Sequence, residues 1–197
     1  FRGIWAYSLP AVLAVALEPI AELIDTAILG RFDTRAVAAL AASNAFLGSF
    51  AWAFNFLSHG VSTTIARRVG ENKTHTSGSQ IWLGIKMSLG LGFGLSLILM
   101  IARPWLLSSV LGADKELIQA ATPYWNIRVC AYPLSLLSMS LLGVLRGLQQ
   151  IRLSLLCVGL STSLHAVFSY LAVHHWGFGI EGAAWATVLA IGGSDLL

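Results

Sequence analysis

The sequence predicts an all-α membrane protein, a bundle of six transmembrane helices, on three observations. The first is composition: 56% of the 197 residues are hydrophobic, only 11% are charged, and the mean hydropathy is +0.76. A soluble domain is about a quarter charged, so this chain has too little charge for an ordinary wet surface. The second is a series of six apolar runs near spanning length, at about 4–30, 36–65, 80–102, 118–145, 152–174 and 180–197. The third is the short polar punctuation between them. A soluble enzyme is excluded by composition, low-complexity disorder by the excess of apolar residues, and a β-barrel by long Leu- and Ala-rich runs without alternation. The formal charge of +3 forms no basic stripe, so nucleic acid is not an expected partner. The expected partners are the lipid bilayer and a small-molecule substrate, and no enzyme activity is expected.

The elements follow in order. The first run carries Pro10 and Pro19 and ends at the polar stretch from Arg31 to Arg35. The second, rich in Ala and Gly, ends at Arg67 and Arg68. The third has Gly84, Ser88, Gly92 and Ser96, small residues every four positions that let a neighbouring helix come close, and it stops at Arg103 and Pro104. The fourth contains Pro123 and Pro133, which remove backbone hydrogen bonds and bend a helix. The fifth begins at Arg152 and ends at His174 and His175. The sixth, with the chain ending at Leu197 and beginning at Phe1 rather than Met, reads as the cut edge of a longer membrane chain. Cys130 and Cys157 lie inside apolar runs and imply neither a disulfide framework nor a zinc site.

Orientation follows from Lys and Arg. With a cytoplasmic N-terminus the inside carries Arg2, Arg67, Arg68, Lys73, Lys86, Arg146 and Arg152, against Arg31, Arg35, Arg103 and Lys115 outside. Seven against four predicts N-in, in a plasma (inner) membrane.

The chemistry concentrates in the first run, where Glu18, Glu22 and Asp25 sit among apolar residues. On a helix Glu22 lies about 40° from Glu18, and Asp25 about 20° on its other side. An ionised carboxylate at bilayer depth costs at least about 2.5–3.5 kcal/mol, so three on one stripe must line a wet cavity or meet partners in the bundle. Crowding and poor solvation favour the protonated form, which suits proton coupling. Arg128, alone inside the fourth run, reads either as a counter-ion for those carboxylates or as a substrate contact. His165 and Ser169 share a face of the fifth helix. Asn44, Asn55 and His59 polarise the second, and read as inter-helix glue or as walls of a polar chamber. The sequence has no GxSxG, HExxH or CxxC motif, and no cofactor or metal is expected.

Four stretches resemble the multidrug and toxic compound extrusion (MATE) transporters, with the DinF-like branch nearest. The run from Glu18 to Gly30, EPIAELIDTAILG, resembles that family's first helix. ARRVGENK at 66–73 resembles the loop after the second, LRGLQ at 145–149 the region before the fifth, and GIEGAAWAT at 179–187 the opening of the sixth. The resemblance implies twelve helices in two lobes with a substrate cavity between them, this chain being the N-terminal lobe and a C-terminal lobe its missing partner. In that branch the first-helix aspartate, here Asp25, is implicated in cation coupling with an Asn and an Asp of the fifth helix and a Thr of the sixth. Thr187 matches the last; the other two positions hold His165 and Ser169, a departure from the pattern. Glu18 falls where plant-type relatives are often acidic.

Loss of that fifth-helix carboxylate and amide weakens a sodium site, since hard cations want several oxygen ligands, whereas histidine titrates near physiological pH. The expected function is therefore secondary active efflux of organic or cationic drugs or metabolites, driven by protons, through alternating access. Cation coupling is expected at Asp25, helped by Glu18, Glu22, His165, Ser169 and Thr187, with Asn44, Asn55 and Arg128 in the substrate cavity. Sodium is the alternative ion, and export of a metabolite or organic anion, or flipping of a lipid-linked precursor, the alternative activity. A non-transporting membrane scaffold is the remote one.

Overall fold

Helix is the answer an apolar chain gives to a solvent without hydrogen-bond partners, because every backbone group is then satisfied within its own segment. The computed structural model describes residues 34–71, 77–110 and 115–195, together with Val12, Ala16, Pro19, Ile20, Leu23, Thr26 and Ala27. Among these residues there is no strand. The elements are α1 (Thr34–Ala53), α2 (Phe56–Gly70), α3 (Ser77–Trp105), α4 (Lys115–Cys130), α5 (Tyr132–Gly147), α6 (Ile151–Tyr170) and α7 (Gly179–Asp195). Wider π-helical turns, Leu106–Val110 and Leu171–His175, extend α3 and α6. Among the described residues two stretches, Gly78–Ser109 and Ile151–His175, are long and apolar enough to cross a membrane, and a third is reached if the bent pair Ile118–Cys130 and Tyr132–Gly147 is a single span. The seven early residues are helical and exposed.

The breaks have local causes. α4 and α5 meet at 47° around Ala131, two residues before Pro133, whose missing N–H leaves the Val129 carbonyl without its helical donor. The Ala131 N–H instead reaches both Ile127 O (3.1 Å) and Arg128 O (3.2 Å). Pro123, the other proline of that run, sits inside α4 without breaking it. Between α1 and α2 the helix tightens: the N–H groups of Phe54, Asn55 and Leu57 bond to Ala51 O, Trp52 O and Phe54 O, three residues back. No proline or glycine marks this place, and the apolar run expected at 36–65 is divided here into two helices.

α5 is the hub, packed against α2 and α3 and touching α4, α6 and α7. Glycines make this possible. A Cβ on Gly92 of α3 would lie 2.5 Å from Pro133 Cα, and one on Gly84 would lie 2.9 Å from Ser140 Oγ. On α5 itself, Gly143 lies against the Ser58 backbone and Gly147 against Ser62 O and Ile65. The small-residue stripe read on the third run therefore meets α5, and α5 carries a second stripe toward α2. The largest core cluster joins Leu47, Leu95, Leu99, Leu106, Leu107, Trp125, Val129 and Tyr132; a smaller one joins Tyr124, Val173, Ala183 and Ala184. α4 contributes to both, so it ties α1 and α3 to α7.

Candidate functional site

A polar group inside an apolar bundle is costly unless it is hydrogen-bonded, so buried polar side chains mark where this lobe departs from pure packing. The fully or nearly buried ones on α6 are Ser154, 3% exposed, His165, 7% exposed, and Ser169, 0% exposed, the last two toward its C-terminal half. His165 and Ser169 are one helical turn apart on the face that α6 turns to α7. His165 Nε2 lies 3.1 Å from Thr187 Oγ1 of α7, and the Thr187 hydroxyl also lies 3.1 Å from Ala183 O, to which it donates. With its only proton directed to that carbonyl, Thr187 can accept from His165 in the tautomer that carries Nε2–H. One turn further along the same interface, Ser161 Oγ donates to Ala190 O at 3.1 Å.

The cluster continues across the lobe. Tyr124 of α4 packs against Ala183 and Ala184, one turn before Thr187 on α7, and its hydroxyl donates to Asn44 Oδ1 of α1 at 2.6 Å. Two polar pairs, Asn44–Tyr124 between α1 and α4 and His165–Thr187 between α6 and α7, thus flank the packing of Tyr124 on α7. Tyr124 was not singled out from the sequence. Its signal was available: a tyrosine inside an apolar run has a hydroxyl that needs a buried partner.

The remaining candidates fall elsewhere. Arg128 is half-buried, and its Nε is buried with no hydrogen-bond partner among the described residues. Asn55 is half-buried at the α1–α2 junction and His59 is exposed; neither reaches His165 or Thr187 through a described contact. Glu18, Glu22 and Asp25 lie outside the described residues. His174 stacks on Tyr170 with ring centroids 4.8 Å apart, and among the described residues no group of His, Cys, Asp and Glu is arranged to hold a metal.

Apolar helices long enough to span, a hub helix packed through glycines and buried polar pairs between helices describe one helical lobe of a polytopic membrane protein. The chain belongs to the MatE family, which it matches over residues 10–171. It is 26% identical to Protein DETOXIFICATION 44, chloroplastic, of Arabidopsis thaliana, over 95% of this chain and 38% of that protein. It is equally 26% identical to the DNA damage-inducible protein F of Escherichia coli (strain K12), over 96% of this chain and 41% of that protein. Among solved structures it matches a MATE in the bent conformation with a TM-score of 0.89 and 25% identity, over 98% of this chain and 43% of the other. A MOP superfamily transporter from Pyrococcus furiosus, reported to have a binding pocket of reverse polarity that suggests a different function, matches with a TM-score of 0.88 and 25% identity, over 98% of this chain and 42% of that one. The chain thus spans about two fifths of the length of the proteins it matches, one lobe of a MATE transporter.

Proposed function

We propose that this lobe belongs to a secondary active antiporter that exports organic cations in exchange for protons by alternating access. The observation that supports it is the buried His165–Thr187 pair: an imidazole, the side-chain type suited to carrying a proton at physiological pH, held in the lobe interior 3.1 Å from a hydroxyl. In this reading Asp25 is the principal proton carrier, with Glu18, Glu22 and His165 as helpers and Ser169 and Thr187 as their polar partners. Asn44, Asn55 and Arg128 border the substrate path. Facing outward, the site takes up a proton, repulsion falls, and substrate leaves; facing inward, proton loss restores the negative charge that draws the next cation. A ligand shifts such an equilibrium only through unequal affinity for the two states, and the proton supplies that inequality. Export of drug-like compounds is supported by one similar structure being an outward-facing multidrug resistance MATE family transporter.

The test uses the full-length chain in proteoliposomes, with an imposed pH gradient, then a sodium gradient, and a fluorescent organic cation. Proton-driven transport in the wild type, abolished in Asp25→Asn and reduced at least tenfold in His165→Ala with folding retained, is the expected result. Transport driven by sodium alone, or unchanged in Asp25→Asn, overturns it. Arg128 favours a second reading: a half-buried guanidinium whose Nε has no hydrogen-bond partner among the described residues suits an anionic metabolite or a lipid-linked precursor. Uptake of organic anions but not cations in the same vesicles would select it.

A further inference from the structure

Outside the polar interior, α2 and α3 leave a groove of about 230 Å³ between them, lined by Phe56, Gly60, Val61, Leu83 and Met87 among others. It is smaller than the roughly 300–1,000 Å³ of a small-molecule site and almost wholly apolar. From Phe56 to Ile65 it follows α2 for about 14 Å, the shape of a stretch of hydrocarbon chain. Phe56, Leu83 and Met87 are exposed beside it, and Gly60 holds it open: a Cβ there would meet nothing within 4 Å. Charge gathers at one end. Arg68 follows Thr64 by one turn, on the face of α2 that lines the groove. It is half-buried, and among the described residues it has no ion pair. Its neighbour Arg67 is already engaged with Glu71 at 2.9 Å. Arg146 ends α5 at the same level, since Gly147 rests on Ser62 and Ile65 of α2. A helix from elsewhere in the protein would fill an apolar groove without needing a cation at its end; a phospholipid needs both.

We propose that the α2–α3 groove seats an anionic membrane phospholipid, one acyl chain lying between Phe56, Gly60, Val61 and Met87 and the phosphate on Arg68. The site is separate from the His165–Thr187 interior and does not depend on what is transported. The full-length chain tests it, purified from nanodiscs of phosphatidylcholine doped with phosphatidylglycerol, with retained phosphatidylglycerol counted by native mass spectrometry. Gly60→Leu fills the groove where a side chain meets open space, Arg68→Gln removes the headgroup contact, and Arg152→Gln, an exposed cation at the start of α6, serves as control. Losing a charge-assisted hydrogen bond is expected to lower retention on the order of tenfold in Arg68→Gln. Gly60→Leu is expected to lose the lipid as well, and Arg152→Gln to retain it, with all three unfolding at the wild-type temperature. Wild-type retention in either Gly60→Leu or Arg68→Gln overturns the proposal. So does efficient cross-linking of a cysteine at Met87 to another part of the same chain, because the groove is then filled by protein.

Discussion

At the scale of single residues, the lobe is held by a few polar contacts placed where helices meet. The Tyr132 hydroxyl donates to Leu47 O at 2.5 Å, Tyr124 to Asn44, and Arg103 to Asn126 Oδ1 at 2.6 Å. In a membrane such bonds contribute on average about 0.6 kcal/mol and at most about 1.7 kcal/mol, so each sets geometry more than stability. Backbone conformation matters as much at one point. Gln149 has φ +61°, and the Gln149 and Gln150 N–H groups bond to Arg146 O and Leu145 O. This is a Schellman ending of α5 whose left-handed position is usually glycine. An L side chain there costs about 1–2 kcal/mol, part of which glycine returns as backbone entropy. Gln149→Gly is therefore expected to stabilise the full-length protein in detergent by about 1 kcal/mol, read as a higher unfolding temperature. A lower one would mean that the Gln149 side chain makes a stabilising contact of its own.

At the scale of elements, close helix packing depends on particular glycines, and the structure separates those that pack from those that do not. Gly143 would place a Cβ 2.5 Å from Ser58 O and 3.0 Å from Ser58 Cα, backbone atoms that move only if α2 moves, whereas Gly48 would meet nothing within 4 Å. Gly143→Ala is expected to destabilise by about 1–3 kcal/mol. Gly48→Ala is expected to be neutral or to gain up to about 1 kcal/mol from helix propensity; equal unfolding temperatures for the two would refute the packing account. The comparison also shows what a sequence discloses. Gly84 and Gly92 were legible because their four-residue spacing is itself the packing motif. The α4–α5 bend was half legible: prolines announced it, but only packing shows that Pro133, seated on Gly92, bends the chain while Pro123 does not. The α1–α2 tightening at Phe54–Asn55 was not legible, since it consists of shortened backbone bonds among ordinary helix formers. In the interior, His165 was readable as a polar residue in an apolar run, and Thr187 through the family resemblance. Their 3.1 Å approach is a product of how α6 and α7 cross, and Tyr124 entered the cluster only when tertiary packing placed it against α7.

At the scale of the whole molecule, the surface shows which environment it was made for. Trp52, Trp82, Leu97, Ile98, Ile101, Trp105, Leu156, Trp176, Phe178 and Trp185 are all exposed, an arrangement that water would penalise and a bilayer satisfies, with tryptophans favoured at the interfaces. Lys86 fits this picture: it sits on the exposed face of α3, and its ammonium lies 5.9 Å from the centre of the Trp82 ring, the posture of a lysine that buries its stem and keeps its charge near an aromatic belt. The two ends of the lobe then differ in charge. Packing of Gly147 on Ser62 and Ile65 brings the ends of α2 and α5 together, so Arg67, Arg68, Arg146 and Arg152 gather at one end. Arg103, Lys115, Glu116 and Glu181 fall at the other ends of their helices, with acids offsetting bases. Since cationic loops are retained on the cytoplasmic side, the loop containing Gln150 is expected to face the cytoplasm and that containing His175 the exterior. Full-length protein with Cys130 and Cys157 replaced by alanine, carrying either Gln150→Cys or His175→Cys at these exposed positions, decides it in intact cells with a membrane-impermeant maleimide. His175→Cys is expected to label directly, and Gln150→Cys only after permeabilisation. The opposite pattern would invert the lobe and with it the direction assigned to transport; labelling of both from outside would mean that α6 does not cross the membrane.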